Sequence, residues 1–98
     1  MQVKLYKVVC VTPGGARWFL KRDPHFDGIS GDWIEYRLYS KEMINQSQTA
    51  VSREAAEHVM NEFLENHPRR MDAYNGRRRL HVKYERLTVS IAEFTAEV

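Results

Sequence analysis

Residue types capable of chemistry gather at a few places in this 98-residue chain. The densest group is basic: Arg69, Arg70, Arg77, Arg78 and Arg79, with Lys83 and Arg86 nearby and Tyr74 among them. Guanidinium groups flanking a turn can grip phosphate oxygens in pairs, and a tyrosine ring can stack on a base. The same arginines could instead pair with Glu54, Glu57, Glu62 and Glu65, or simply stand in water. No aromatic RNP motif, KH glycine loop or helix-turn-helix pair accompanies them.

A second group is Asp23, His25 and Asp27, alternate residues that offer oxygen and nitrogen ligands or an oriented base. Ordinary turn chemistry accounts for them equally well, so no metal ion is expected there. Glu54 and His58 stand four residues apart, a spacing that chelates and that any solvated acidic helix also produces. His67 and His81 lie in basic surroundings with no evident partner. Cys10 sits on an apolar stretch and reads as a small buried hydrophobe, not a nucleophile. Phosphate-loop, G-x-S-x-G and HExxH motifs are missing. No catalytic residue and no cofactor is therefore expected.

These residues must be positioned by a small number of elements. Residues 3–12 are Val-rich and apolar on both parities, as in a strand covered on both faces. Pro13-Gly14-Gly15 is a turn, and 16–22 returns as a second strand. Residues 23–32, with three aspartates, two glycines and a proline, read as a loop of about ten residues. A third strand follows over 33–40, and 41–50 is ambiguous between strand and loop. Ser52 is a good N-cap for a helix over about 53–66, with Ala56, Val59, Met60, Phe63 and Leu64 as its apolar stripe. Pro68 stops it. The segment 67–79 is a basic connection with an Asn75-Gly76 turn. Residues 80–94 alternate with one slip of phase, which a bulge near Glu85-Arg86 would reconcile; two separate strands are the alternative, though no turn signal stands between them. The expected fold is α+β: a three-stranded antiparallel meander, one amphipathic helix and a final long bulged strand, in one domain spanning 1–98.

One helix covers one face of such a sheet, yet the first strand is apolar on both. Phe19, Trp33 and Tyr39 need cover as well. Either the loops or another chain must supply it. The expectation is a homodimer burying that face, with Trp33 and Tyr39 as candidate contacts.

Composition narrows the class. Hydrophobic residues make up 43% of the chain and no apolar run reaches the ~20 residues that span a bilayer. The N-terminus lacks a secretory h-region. The single cysteine excludes an internal disulfide and a Cys-rich zinc site, and it points to a reducing cytoplasm. The net charge of +2 hides segregation: residues 67–86 carry seven bases and two acids, and 53–66 carry four glutamates and one arginine.

A hairpin-rich sheet, a helix opening as SREAAEHV and a last strand resemble, in style, the small accessory proteins of phages and prophages. The resemblance implies a protein that binds a host or viral component without catalysis, inhibitors of host defence among them. The functional expectation is a non-enzymatic protein-binding module whose partner is another protein or a second copy. The alternative is a nucleic-acid-binding module using Arg69, Arg70, Tyr74, Arg77, Arg78 and Arg79.

Overall fold

The computed structural model describes residues 1–29, 31–66, 68 and 70–97, apart from the side chain of Arg70. Among the described residues six strands form: β1 (Gln2–Val11), β2 (Arg17–Asp27), β3 (Gly31–Tyr39), β4 (Arg70–Asn75), β5 (Arg78–Lys83) and β6 (Thr88–Glu97). With them, among the described residues, go one α-helix, α1 (Arg53–Asn66), and two 3-10 helices, Lys41–Gln46 and Tyr84–Arg86. The strands make one sheet in the order β5-β4-β3-β2-β1-β6. Neighbours are antiparallel except β3 and β4, which α1 separates in sequence and which run parallel.

The expected meander plus one bulged strand is therefore not what forms. Residues 70–75, read as a connection, are a strand whose Met71 and Ala73 are buried while Asp72 points the other way. The loop expected at 23–32 is largely ladder, with Asp23–Asp27 paired to residues 31–35. Pro24 is tolerated because β1 pairs with β2 only at residues 17–19, so its missing N–H breaks no rung on that side. The slip of phase at 84–86 is not a bulge. A 3-10 turn ends β5 there and β6 begins on the opposite edge of the sheet.

That connection dictates the shape. Six flat strands place their edges about 24 Å apart, at ~4.8 Å per spacing. The five Cα steps from Lys83 to Thr88 reach at most ~18 Å. The sheet must curl, and it forms a half-barrel with both edges drawn together. Val82 of β5 and Val89 of β6 consequently pack on the same core cluster.

Helix α1 fills the inner face. The Ser52 hydroxyl accepts a hydrogen bond from the Ala55 N–H at 3.1 Å, which caps the first turn. Ala56 and Phe63 are fully buried, and Val59 and Met60 pack against the cluster of Val8, Cys10, Trp18, Leu20, Tyr36 and Leu38. Leu64, expected in the stripe, lies at its margin and is 39% exposed.

The second face is covered by the chain itself. Val9, Phe19 and Tyr39 are buried there, with the Lys41–Gln46 helix lying against β2, β3 and β4. Residues 47–50 then cross to the inner face through a fork where β1 and β2 part. Gln48 N–H donates to the Leu20 carbonyl at 3.0 Å, and Ala50 exchanges two backbone bonds with Tyr6. Lys7 anchors the crossing: its ammonium donates to the Thr49 hydroxyl at 2.6 Å and the Ser47 hydroxyl at 2.9 Å. Burial lowers the Lys7 pKa from its ordinary value. The mismatch that pointed to a dimer is thus met within one chain.

Cys10, at the centre of the sheet, gives a first prediction. Burial pushes its thiol from 9.0 up to about 12. A raised acid favours the folded state while it stays protonated. Its contribution is complete below pH 9 and is lost as the pH climbs toward 12. At pH 8 a disulfide reagent should modify Cys10 only as fast as the protein opens, a rate that rises with denaturant. Immediate modification in native buffer would contradict the burial.

Candidate functional site

The site is an arm of two strands. β2 and β3 pair continuously from Phe19 and Tyr39 to Asp27 and Gly31. β1 leaves β2 beyond Phe19, and β4 pairs with β3 only along residues 37–39. Among the described pairings, rungs 22–27 and 31–36 therefore have only each other. An isolated two-stranded ribbon is marginal in water, so this one needs bracing.

On the inner face the brace is α1. Arg22 donates to both carboxylate oxygens of Glu62, at 2.7 and 3.1 Å, and Asn66 donates to the Tyr36 hydroxyl at 3.2 Å. On the second face, strand parity gathers Asp23 and His25 of β2 with Glu35 and Arg37 of β3. His25 Nε2 lies 2.9 Å from Glu35 Oε2 and 3.8 Å from Asp23 Oδ2. Arg37 Nη2 lies 2.9 Å and 3.4 Å from the same two oxygens. Trp33 stacks on His25, with centroids 4.9 Å apart and planes 10° from parallel.

The Arg37 hydrogen bond, reinforced by His25 and opposed by partial burial, holds the Glu35 carboxyl below its ordinary 4.5. A depressed acid stabilises the fold above its unfolded value and loses that contribution as the pH falls through the folded one. Thermal melts should therefore lose stability below about pH 4.5, and Glu35→Gln should remove part of that slope. An identical acid limb in the variant would sever this link.

Ligand atoms of Asp23, His25 and Glu35 lie within 4.8 Å of one another, a grouping that could hold a divalent ion. Arg37 already places its positive charge between the two carboxylates, so the cluster is an internally neutralised ionic brace. Asp27, the third member of the expected triplet, instead accepts the Ile29 N–H at 2.9 Å and shapes the turn.

The end of the arm runs on past the helix without cover. Phe26 is 79% exposed, Ile29 97% and Trp33 48%. Arg22, Pro24, Phe26, Asp32, Trp33 and Ile34 line an open groove of about 310 Å³. Of its lining charges Arg22 is held by Glu62, and Asp32 enters no ion pair among the described residues.

The candidate residues named from sequence distribute as follows. Trp33 lies on the arm, but Tyr39 is buried and stacks on Tyr74 at 5.4 Å, so the two form no common surface. Tyr74 accordingly spends one ring face inside the protein. Arg77, Arg78 and Arg79 are exposed at the β4–β5 turn, where Gly76 takes a φ of 63° in a two-residue loop. Arg69 lies outside the described residues. Arg70 pairs with Lys83 through the backbone, and its side chain lies outside the description. His67 lies outside the described residues, and His81 has a partner after all in Asp72 at 3.0 Å. Glu54 and His58 are both exposed on α1.

Phe26, Ile29, Glu35 and Arg37 were not singled out from sequence. The signal was present as two facing alternations, Asp23-x-His25 and Trp33-x-Glu35-x-Arg37, hidden by reading the first as loop. No helix among the described residues is long and apolar enough to cross a membrane. Comparison with protein-family models, curated protein sequences and solved structures finds no match to this chain.

Proposed function

We propose that this protein is a non-catalytic binding module that presents the end of the β2–β3 arm to a partner protein. The observation behind this reading is the exposure of Phe26, Ile29 and Trp33 at the end of one projecting ribbon, Phe26 on the face of Arg22 and Pro24 and Trp33 on the face of His25, in a chain that buries Val9, Phe19 and Tyr39 on the second face of its sheet body. Large apolar side chains exposed on both faces of one ribbon end mark a contact surface that a partner grips from either side. Asp32, which lines the groove and enters no ion pair among the described residues, sets the partner's chemistry: a surface offering a cation beside an apolar side chain. The charges steer encounter and the aromatic residues hold the complex.

A peptide-display library selected on wild-type protein, and counter-selected on Phe26→Ser/Trp33→Ser, tests this. Both residues are substantially exposed, so the double variant should melt within a few degrees of wild type. Selected peptides should carry an aromatic or aliphatic residue flanked by Lys or Arg. Their affinity for the double variant should fall at least about 30-fold, the loss of one hot-spot residue. Enrichment that ignores the arm, or favours acidic peptides, would overturn the reading.

A further inference from the structure

A second surface lies far from the arm in the fold, where the half-barrel fails to close. The short connection from β5 to β6 carries Lys83 and Arg86 over to the end of β1. There Thr12, Pro13, His81, Val82, Lys83 and Arg86 line an open groove of about 340 Å³. We propose that this seam groove is a phosphate-binding site, with the Lys83 ammonium, the Arg86 guanidinium and the Thr12 hydroxyl as donors to the phosphate oxygens.

Three observations carry the assignment. First, the cations are available. Residues 77–86 hold Arg77, Arg78, Arg79, Lys83 and Arg86 against one acid, Glu85. Among the described residues none of these five bases takes part in an ion pair. The glutamates of α1 do not reach them; Glu62 is engaged by Arg22 instead. Second, Asp72, which faces His81 across the β4–β5 ladder, is bound to His81 at 3.0 Å. Third, Thr12 Oγ1 accepts the Ala16 N–H at 3.2 Å, which leaves its own proton to donate.

Basic side chains on an edge strand also discourage strand pairing between molecules, but that duty requires no groove. Lysine and arginine lining a concavity with a hydroxyl are suited to an oxyanion, and arginine to its paired oxygens. Arg79 shares the parity of His81 and Lys83 and lies about 13 Å from Lys83 along β5 at ~3.3 Å per residue, so a second phosphate could follow the first. The phosphate could come from a nucleic-acid backbone or from a small phosphorylated compound. The contact chemistry is the same.

The experiment is amide NMR on the isotope-labelled full chain, titrated with inorganic phosphate and separately with a twelve-residue oligothymidylate. Variants are Lys83→Gln/Arg86→Gln and, as a control cation elsewhere, Lys41→Gln. Resonances of Thr12, His81, Lys83 and Arg86 should move saturably in wild type and in Lys41→Gln. Lys83→Gln/Arg86→Gln should weaken the response at least tenfold, with the rest of its spectrum unchanged.

A backbone source shows tighter oligonucleotide binding that falls about 20-fold between 50 and 200 mM salt, as three phosphate contacts to a single strand require. A small-compound source shows saturation by phosphate with no gain from the oligonucleotide. Either result supports the site. Shifts spread evenly over every basic residue, or a response equal in the Lys83/Arg86 variant, would overturn it. These outcomes are read separately from the arm, whose variants leave this groove intact.

Discussion

Phe63→Ala should destabilise the protein by about 3–5 kcal/mol, the range for truncating a buried phenylalanine. Phe63 is fully buried at the centre of the inner face, edge-on to Tyr36 at 5.1 Å and to Tyr84 at 5.2 Å. Tyr84 belongs to the 3-10 turn that draws the two edges together. The ring therefore ties α1 to the middle of the sheet and to its closure at once. In a domain of this length each kcal/mol lowers the melting temperature by ~4–8 °C, so a fall of at least about 12 °C is expected. Calorimetry on the two proteins decides it. A fall of only a degree or two would mean that the helix presents another face.

Phe19→Ala should cost a similar ~3–5 kcal/mol, and it should do so independently of protein concentration. Phe19 lies on the opposite side of the sheet, buried with Val9 and Tyr39, 6.1 Å from the Phe94 ring and beneath the Arg17 guanidinium. Its cover comes from its own chain, so dilution uncovers nothing. If a second copy supplied the cover, the melting temperature of wild type would rise with concentration and the variant's deficit would shrink on dilution. Denaturant melts at 1 and 100 μM separate the two cases. A concentration-dependent midpoint would contradict self-coverage and restore the dimer.

How much of this was legible in the sequence depends on range. Helix α1 was, because its stripe, its Ser52 cap and its Pro68 stop are all local. Strand parity was legible too: Trp33, Glu35, Arg37 and Tyr39 do share a face. The failures are of two kinds. Polar composition masked strand: Asp23–Asp27 and Arg70–Asn75 look like loops because one of their faces is solvated or ionic. Long-range pairing was invisible: the change of phase at 84–86 reads as a bulge unless β5 and β6 are known to occupy opposite edges. The cover of the second face was hidden in the ambiguous 41–50 segment, whose Met43 and Ile44 are only half-buried. The site was half legible. Asp23 and His25 were seen, but Glu35 and Arg37 join them only once the hairpin is registered.

The central claim is that the uncovered end of the arm is the contact surface and that the rest of the fold is complete without it. Its most direct measurement places a photo-reactive benzoylphenylalanine at Phe26 and, separately, at Val51, an equally exposed apolar residue in the turn before α1. Irradiation in cells that make the protein natively should yield one adduct, from position 26 alone, with a protein of basic surface. Asp32→Asn should weaken that adduct. An adduct with a second copy of the chain, equal adducts from both positions, or none from position 26 would contradict the account.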